Sequence, residues 1–498
     1  MTCMQNSRVW ALVIVVMVLP ATGRTQQPAA TPLPKVTRPV ATAGSHPFLA
    51  ASHDLPPTDL STVGYVEEEL LVDGTANVYD WGADGSVSVK TPNAPYASRI
   101  LVRRPADRQR FSGAVVVELL FPARRWDWSM MWGYTHDHIL ERGDAWVGIT
   151  LPNGATGLKR FDPARYASLS FKNPAPAPCP GAANNAVSDT EDGLKWDLIS
   201  QVGALLKSST AGNPFAGFNV RALYLTTQGG DLVTYMNAIH ATARLANGAP
   251  VYDGYVLKAP FNASRINQCS PAPPAGDPRQ KIDHVGVPVI AVAAEGEVLG
   301  TYASRRPDSD DPLDRYRLYE VAGAGHIDRS AYQGFPSMED QTAAGNALGN
   351  AAWPFAAPCD PDIPLMATPI MSVAFDTAFA VLDDWVRSGK PAPRAPRIEV
   401  KDAGTPQAAI VADRFGHGLG GLRTPYIDVP SATYVTNSNG PGNCREMAHK
   451  ASFDAARLTT VYGSTKSYRD KVTASVDRLV KERWLTPGDA RRVKAELP

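Results

Sequence analysis

Six apolar, β-branched runs follow one another through the middle of the chain: GAVVVELLF at 113–121, AWVGITL at 145–151, RALYLTT at 221–227, YDGYVLKAP at 252–260, VPVIAVAAE at 287–295 and YRLYEVAGAGH at 316–326. The first is nearly continuous in apolar residues, as a strand buried on both faces is. Between the runs lie stretches of helical pattern, at about 128–141, at 191–207 and from about 231 onward. Buried-type strands alternating with helices predict an α/β fold with a mostly parallel central sheet, helices on both faces and right-handed crossovers. Two shorter β-rich segments, VEEELLVDG at 66–74 and RILVRRP at 99–105, precede this block.

The flanks read differently. Residues 25–62 are rich in Pro, Ala, Thr and Ser without a helical or alternating period, which reads as a tether with little structure of its own. The stretch from about 152 to 190 is too long for a simple connection and is expected to wall a binding site, and a second irregular stretch runs from about 335 to 369. A helix is predicted at 372–389, stopped by Gly389 and Pro391. The last hundred residues carry strand-like RIEV and AAIVAD, a glycine-rich corner GHGLGGLRTP, and helical patterns near 471–482 and 487–496. The expected divisions are a leader at 1–24, the tether at 25–62, the core with its insertions at 63–395 and a C-terminal segment at 396–498 that packs on the sheet.

The leader changes how the rest is read. Arg8 precedes the apolar run VWALVIVVMVLP, and Ala21-Thr22-Gly23 supplies small residues for cleavage, the pattern of a secretory signal peptide. The run is short for a bilayer span, so the expected location is secreted or periplasmic, with no stable membrane insertion. Past the leader, Cys179, Cys269, Cys359 and Cys444 form an even set without zinc-site spacing. In an oxidising compartment such a set forms one or two disulfides, with three pairings open. Lys plus Arg number 49 and Asp plus Glu 49, so no global field favours nucleic acid.

The chemistry concentrates where 221–227 turns into the helical pattern beginning near Asp231. An apolar strand, a tight Thr-Gln-Gly-Gly corner and a helix form the nucleophile elbow of an α/β-hydrolase, whose usual signature is G-x-S-x-G. Here that frame holds Leu225, Thr226, Thr227, Gln228 and Gly229, which puts Thr227 at the nucleophile position. Ester hydrolysis also needs a base, an acid to orient it and oxyanion donors. In chain order after the elbow come Glu295 and Glu297 at the end of 287–295, then His326 in an Ala-Gly-His turn. Glu297 lies further past the strand end and is the expected acid, with Glu295 the alternative. The N–H groups of Gln228 and of the loop at Phe121 and Ala123 are the candidate oxyanion donors, Pro122 having none to give. His136 and His138 resemble a metal pair, yet i and i+2 on a helix do not share a face. Neither a metal nor a cofactor is expected.

Several motifs carry a resemblance over about residue 63 to the end: VVVELLF with the aromatic-rich helix and ERGDAWVGITLP, LKRFDPARYASLS, TTQGGDLVTYMNAIH, AGAGHID, GGLRTPYIDVPSATY and LTTVYGSTKSYRDKV. With these the chain resembles the "alpha/beta hydrolase domain" proteins, mostly exported hydrolase-like chains with a C-terminal GGxRTP segment. The resemblance implies an α/β-hydrolase fold with the C-terminal segment in the same unit. That family's elbow typically reads G-x-S-Q-S/T-G, and matching its Ser-Gln pair carries the nucleophile role onto Thr227, while Glu295, Glu297 and His326 match its acidic and histidine positions. The chain departs from the pattern at Leu225, Thr227 and Phe121, where the family has glycine, serine and asparagine.

The expected activity is cleavage of a carboxylic ester or related small acyl compound by Thr227, Glu297 and His326. A β-branched residue tolerates φ > 0 poorly, and elbow strain costs on the order of 1–3 kcal/mol. The alternative expectation is therefore a catalytically degenerate hydrolase fold that binds a small molecule or partner through the old pocket.

Overall fold

The computed structural model describes residues 29–40, 42–121, 126–180, 186–259, 262–345, 359, 366–440 and 442–498. Among these residues the core is a ten-stranded sheet. Its strands are β1 (Lys35–Thr37), β2 (Tyr65–Trp81), β3 (Val87–Pro105), β4 (Ala114–Leu119), β5 (Ala145–Ile149), β6 (Ala222–Gln228), β7 (Gly254–Lys258), β8 (Val289–Ala294), β9 (Ser309–Asp311) and β10 (Asp314–Val321). The spatial order is β1-β2-β3-β5-β4-β6-β7-β8-β10-β9. The block from β5 through β10 is parallel throughout, and antiparallel strands extend it at both ends. Every residue of β4, β5, β7 and β8 is buried, as their continuous apolar runs require.

The two short β-rich segments turn out to be parts of one long hairpin, β2 and β3, 17 and 19 residues long. Its base joins the sheet, while its far end, around Asp84 and Gly85, is exposed.

Helices α1 (Met130–Arg142), α2 (Pro152–Phe161), α3 (Lys195–Leu206), α4 (Gly230–Ala238) and α5 (Ile370–Ser388) serve the core. Helices α1 and α5 pack on each other and on the parallel strands; α3 lies against β2 and α4 against β6. Helix α5 ends at Gly389, whose φ of +71° closes it in the left-handed conformation. Trp126, Trp128 and Trp132 are buried, with Trp128 stacked on Tyr332 at 5.3 Å, so the aromatic run before α1 is core.

The Pro- and Ala-rich N-terminal segment is not a bare tether. Strand β1 pairs antiparallel with β2, and Phe48 is fully buried, its ring 5.1 Å from Phe161 and 6.2 Å from Trp126. The cause lies in β3, whose Arg99 and Arg103 are fully buried. Their guanidinium groups donate to the carbonyls of Phe48 at 2.7 Å and Leu49 at 2.6 Å, so this segment supplies acceptors that two buried cations need. Sequence periodicity does not report such a role.

Part of the region from 152 to 190 is the helix α2, after which Ser170 bridges to Ala97 and Thr190 to Lys172. The four cysteines pair as Cys179–Cys269 and Cys359–Cys444. Two disulfides are compatible with an oxidising compartment. Among the described residues no helix is long and apolar enough to cross a membrane. The leader lies outside the described residues.

The last hundred residues lie against the sheet. Glu295 Oε2 accepts the N–H of Gly418 at 2.8 Å, Glu320 Oε2 accepts that of Ile398 at 2.7 Å, and Trp484 meets Tyr319 edge-on at 5.3 Å. The glycine corner fits closely there, since a Cβ on Gly420 would come within 2.2 Å of the Arg397 carbonyl oxygen. Two further helices, α6 (Thr465–Lys481) and α7 (Pro487–Ala495), bury Val472, Val476, Leu479, Leu485 and Val493 between them and α5.

Candidate functional site

The C-terminal ends of β6, β7, β8 and β10 converge on one corner, where open α/β sheets place their ligands. Strand β6 continues through Gln228, and the chain turns at Gly229, with φ +87° and ψ −165°, before α4 begins at Gly230. The N–H of Gly229 donates to the Lys258 carbonyl at 3.1 Å. The two glycines do different work. Gly229 takes a backbone conformation that side chains resist, yet a Cβ there would meet nothing within 4 Å. A Cβ on Gly230 would lie 2.0 Å from the Asn262 carbonyl oxygen.

Thr227 is therefore a strand residue and not the apex. Successive strand side chains leave opposite faces of the sheet. Gln228 sends its amide to His326, with Nε2 3.2 Å from the imidazole Nε2, so Thr227 points the other way. Its hydroxyl donates to the Leu119 carbonyl at 2.9 Å, and the residue is buried. In the family pattern G-x-S-Q-S/T-G, the residue that turns here occupies the place of the second Ser or Thr, and this chain has glycine there.

His326 and Glu297 do come together. Glu297 lies in the turn after β8, and its Oε1 accepts from His326 Nδ1, which leaves Nε2 of the ring facing Gln228. Its Oε2 accepts the N–H of Ala294 at 2.8 Å. Glu295 is directed elsewhere: Oε2 accepts from the N–H groups of Gly323 at 2.6 Å and Gly418 at 2.8 Å, clamping the histidine turn to the C-terminal segment.

A residue that sequence reasoning passed over completes the cluster. Lys258 ends β7 with no exposure to solvent, its Nζ 3.0 Å from Glu297 Oε1 and 3.3 Å from His326 Nδ1. Burial works to raise the Glu297 carboxyl, but the Lys258 ammonium and the His326 contact outweigh it and hold the group down at about 2. The signal was a lysine closing the apolar run GYVLK, where a charge has to find a buried partner.

The oxyanion candidates are partly accounted for. The N–H of Phe121 donates to the Trp128 carbonyl at 2.9 Å and so is already used. Pro122 and Ala123 lie outside the described residues. Gln228 contributes its side chain to His326, and the start of α4 presents helix N–H groups beside Gly229. No cluster of three or more metal-ligating side chains occurs among the described residues. His136 and His138 diverge on α1: His136 Nδ1 contacts the Trp132 carbonyl at 3.2 Å, while His138 is buried and held down to about 3 by burial and by Arg142 and Arg492.

Chemically, the corner holds a carboxylate-oriented imidazole, a buried ammonium and an amide around a turn with no side chain at its apex. The sequence model described as "Alpha/beta hydrolase domain" matches residues 30–495. Among curated proteins none matches the chain. Solved structures with some likeness include the esterase Est22 (13% identity, 57% of this chain and 81% of that one, TM-score 0.27). Others are fungal esterases from Rhizomucor miehei (10%, 53% and 81%, 0.26) and the glucuronoyl esterase from Solibacter usitatus (11%, 59% and 83%, 0.27). Scores this low bear on neither activity nor substrate. The family match spans nearly the entire chain and accords with the parallel sheet, the corner after β6 and the histidine turn: the chain belongs to the alpha/beta hydrolase domain family.

Proposed function

We propose that this protein is an exported α/β-hydrolase-fold protein that binds a small acyl or carbonyl compound at the corner of Gly229, Gln228 and His326 without forming a covalent acyl intermediate. The observation that carries this reading is the position of the turn. The residue at the apex is glycine, and the nearest hydroxyl in the motif, that of Thr227, leaves the opposite face and is bonded to the Leu119 carbonyl. A carbonyl oxygen held beside Gly229 would meet the N-terminal N–H groups of α4, which favour partial negative charge.

The intact His326–Glu297 pair favours a second reading, in which the imidazole activates water. His326 Nε2 would release the Gln228 amide and take a proton from a water molecule as its oxygen attacks the ester carbonyl carbon. The tetrahedral intermediate would then collapse, expelling the alcohol oxygen, which recovers that proton from the imidazole. Carboxylic esters would be turned over with no covalent enzyme species.

The test is labelling of the full chain with a fluorophosphonate probe, with any modified residue located by mass spectrometry, beside ester turnover by wild type and His326→Ala. No label and no turnover above background is the result expected for the binding protein. Turnover without label, lost in His326→Ala, selects the water reading. Label on Thr227 would overturn both and establish the threonine as nucleophile.

A further inference from the structure

A cavity lies away from the corner at Gly229. Helix α1 starts near the C-terminal edge of the sheet and runs back toward the opposite edge, where β5 begins, so its last turns are remote from Gly229. There a cavity of about 420 Å³ opens between α1, α5 and the α6–α7 pair. Its walls include Ala380, Val381, Val480, Leu485 and Pro487. The volume falls within the roughly 300–1,000 Å³ typical of small-molecule sites.

Two observations point to the kind of ligand. The charged side chains at the rim already have counter-ions: Glu141 pairs with Arg491, Arg142 with Asp383 at 2.7 Å, and Arg483 with Asp384 at 2.9 Å. An ionic head group would therefore find no uncompensated charge to bind. His138, on the α1 wall, is 5% exposed, and none of the described residues supplies a hydrogen bond to its Nε2. A buried imidazole nitrogen without a partner is uncommon, because leaving such a group unpaired is costly. Burial, with Arg142 and Arg492 nearby, keeps this ring neutral at ordinary pH, so it carries one donor and one acceptor nitrogen.

We infer that this cavity is a binding site, separate from the corner at Gly229, for a neutral and largely apolar molecule with a single hydroxyl head group that hydrogen-bonds His138. A phenol or a medium-chain alcohol has this chemistry. The hydroxyl can complement the imidazole as donor or acceptor, while the ring or chain covers Val381, Val480 and Leu485.

The experiment is isothermal titration of the full chain with 4-ethylphenol, 1-hexanol and hexanoate. Saturable one-to-one binding of the two neutral compounds is expected, with hexanoate weaker. His138→Leu should weaken 4-ethylphenol by about tenfold, the effect of one lost buried hydrogen bond. Ala380→Trp, which fills the cavity from α5, should abolish binding while leaving circular dichroism unchanged. A shift of the His138 imidazole ¹⁵N resonances on adding 4-ethylphenol to wild type provides the same reading if either variant fails to fold. No saturable binding up to the solubility limit would overturn the proposal, as would unchanged ¹⁵N resonances or binding that survives Ala380→Trp. Preference for hexanoate would overturn the assignment of a neutral ligand.

Discussion

Restoring a hydroxyl at the apex tests the account of the corner most directly. In Gly229→Ser the new Cβ has open space, with nothing within 4 Å, so no steric clash contributes to the cost. What remains is backbone strain: a serine held at φ +87° costs roughly 1–3 kcal/mol. One kcal/mol shifts Tm by about 2–4 °C in chains of 150–250 residues and by less in larger ones. The variant is thus expected to fold, with Tm lowered by only a few degrees. Its hydroxyl enters next to Gln228, whose amide lies 3.2 Å from His326 Nε2, and therefore within the neighbourhood of that imidazole. General-base assistance is worth about 10²–10⁴-fold. Hydrolysis of a short p-nitrophenyl ester should rise by at least about 10²-fold over wild type, and a fluorophosphonate probe should label position 229. Adding His326→Ala should abolish both gains. A folded Gly229→Ser protein that neither turns over ester nor takes the label would refute the assignment of the apex. So would a wild-type activity that disappears in Thr227→Ala.

Two further outcomes follow from the residues around that corner and a third from the N-terminal segment. Glu297 is held from an ordinary 4.5 down to about 2, so it stabilises the fold fully above about pH 4.5 and loses that contribution as pH falls toward 2. At about 1.36 kcal/mol per pH unit this is on the order of 3 kcal/mol, and in urea titrations the stability gap between wild type and Glu297→Gln should narrow over that window; a gap independent of pH would contradict it. Lys258→Met leaves a buried carboxylate without its cation and should cost roughly 3–5 kcal/mol at neutral pH, part of which the Lys258→Met, Glu297→Gln double variant should recover in the same titrations. Phe48→Ala empties a fully buried site between Trp126 and Phe161 and should cost about 3–5 kcal/mol by chemical denaturation, whereas a loose tether would give no change.

The sheet was legible because strands buried on both faces must be apolar throughout, and β4, β6, β7 and β8 each coincide with such a run. His326 and Glu297 were legible because chain order and strand ends suffice to place them. What escaped was fixed by long-range pairing. Lys258 reads as a strand-end charge until Glu297, 39 residues away, is folded beside it. Phe48 belongs to no periodic pattern, and its burial depends on two arginines about fifty residues further on that take its own carbonyl and that of Leu49. The long hairpin was hidden for a related reason: much of its outer half faces solvent and lacks the apolar density by which a buried strand is recognised.

The elbow itself illustrates why a motif fixes composition more firmly than register. The stretch Leu225–Thr226–Thr227–Gln228–Gly229–Gly230–Asp231 can be laid on a five-residue strand–turn–helix frame in two ways, two residues apart, centred on Thr227 or on Gly229. Because two residues is one full strand period, both registers send the same alternate side chains to the same faces, and hydrophobic pattern cannot separate them. The turn separates them. One residue has to adopt positive φ, which is costly for a β-branched side chain and nearly without cost for glycine, and the chain turns at Gly229. That choice lets Thr227 and Gln228 continue the ladder opposite Leu257 and Lys258. The same pairing fixes the end of β7 beside the end of β6 and so brings Lys258 under the histidine. A hydroxyl apex would have stored strain at this corner; glycine removes it, and the corner keeps the His326–Glu297 pair beside an unstrained turn.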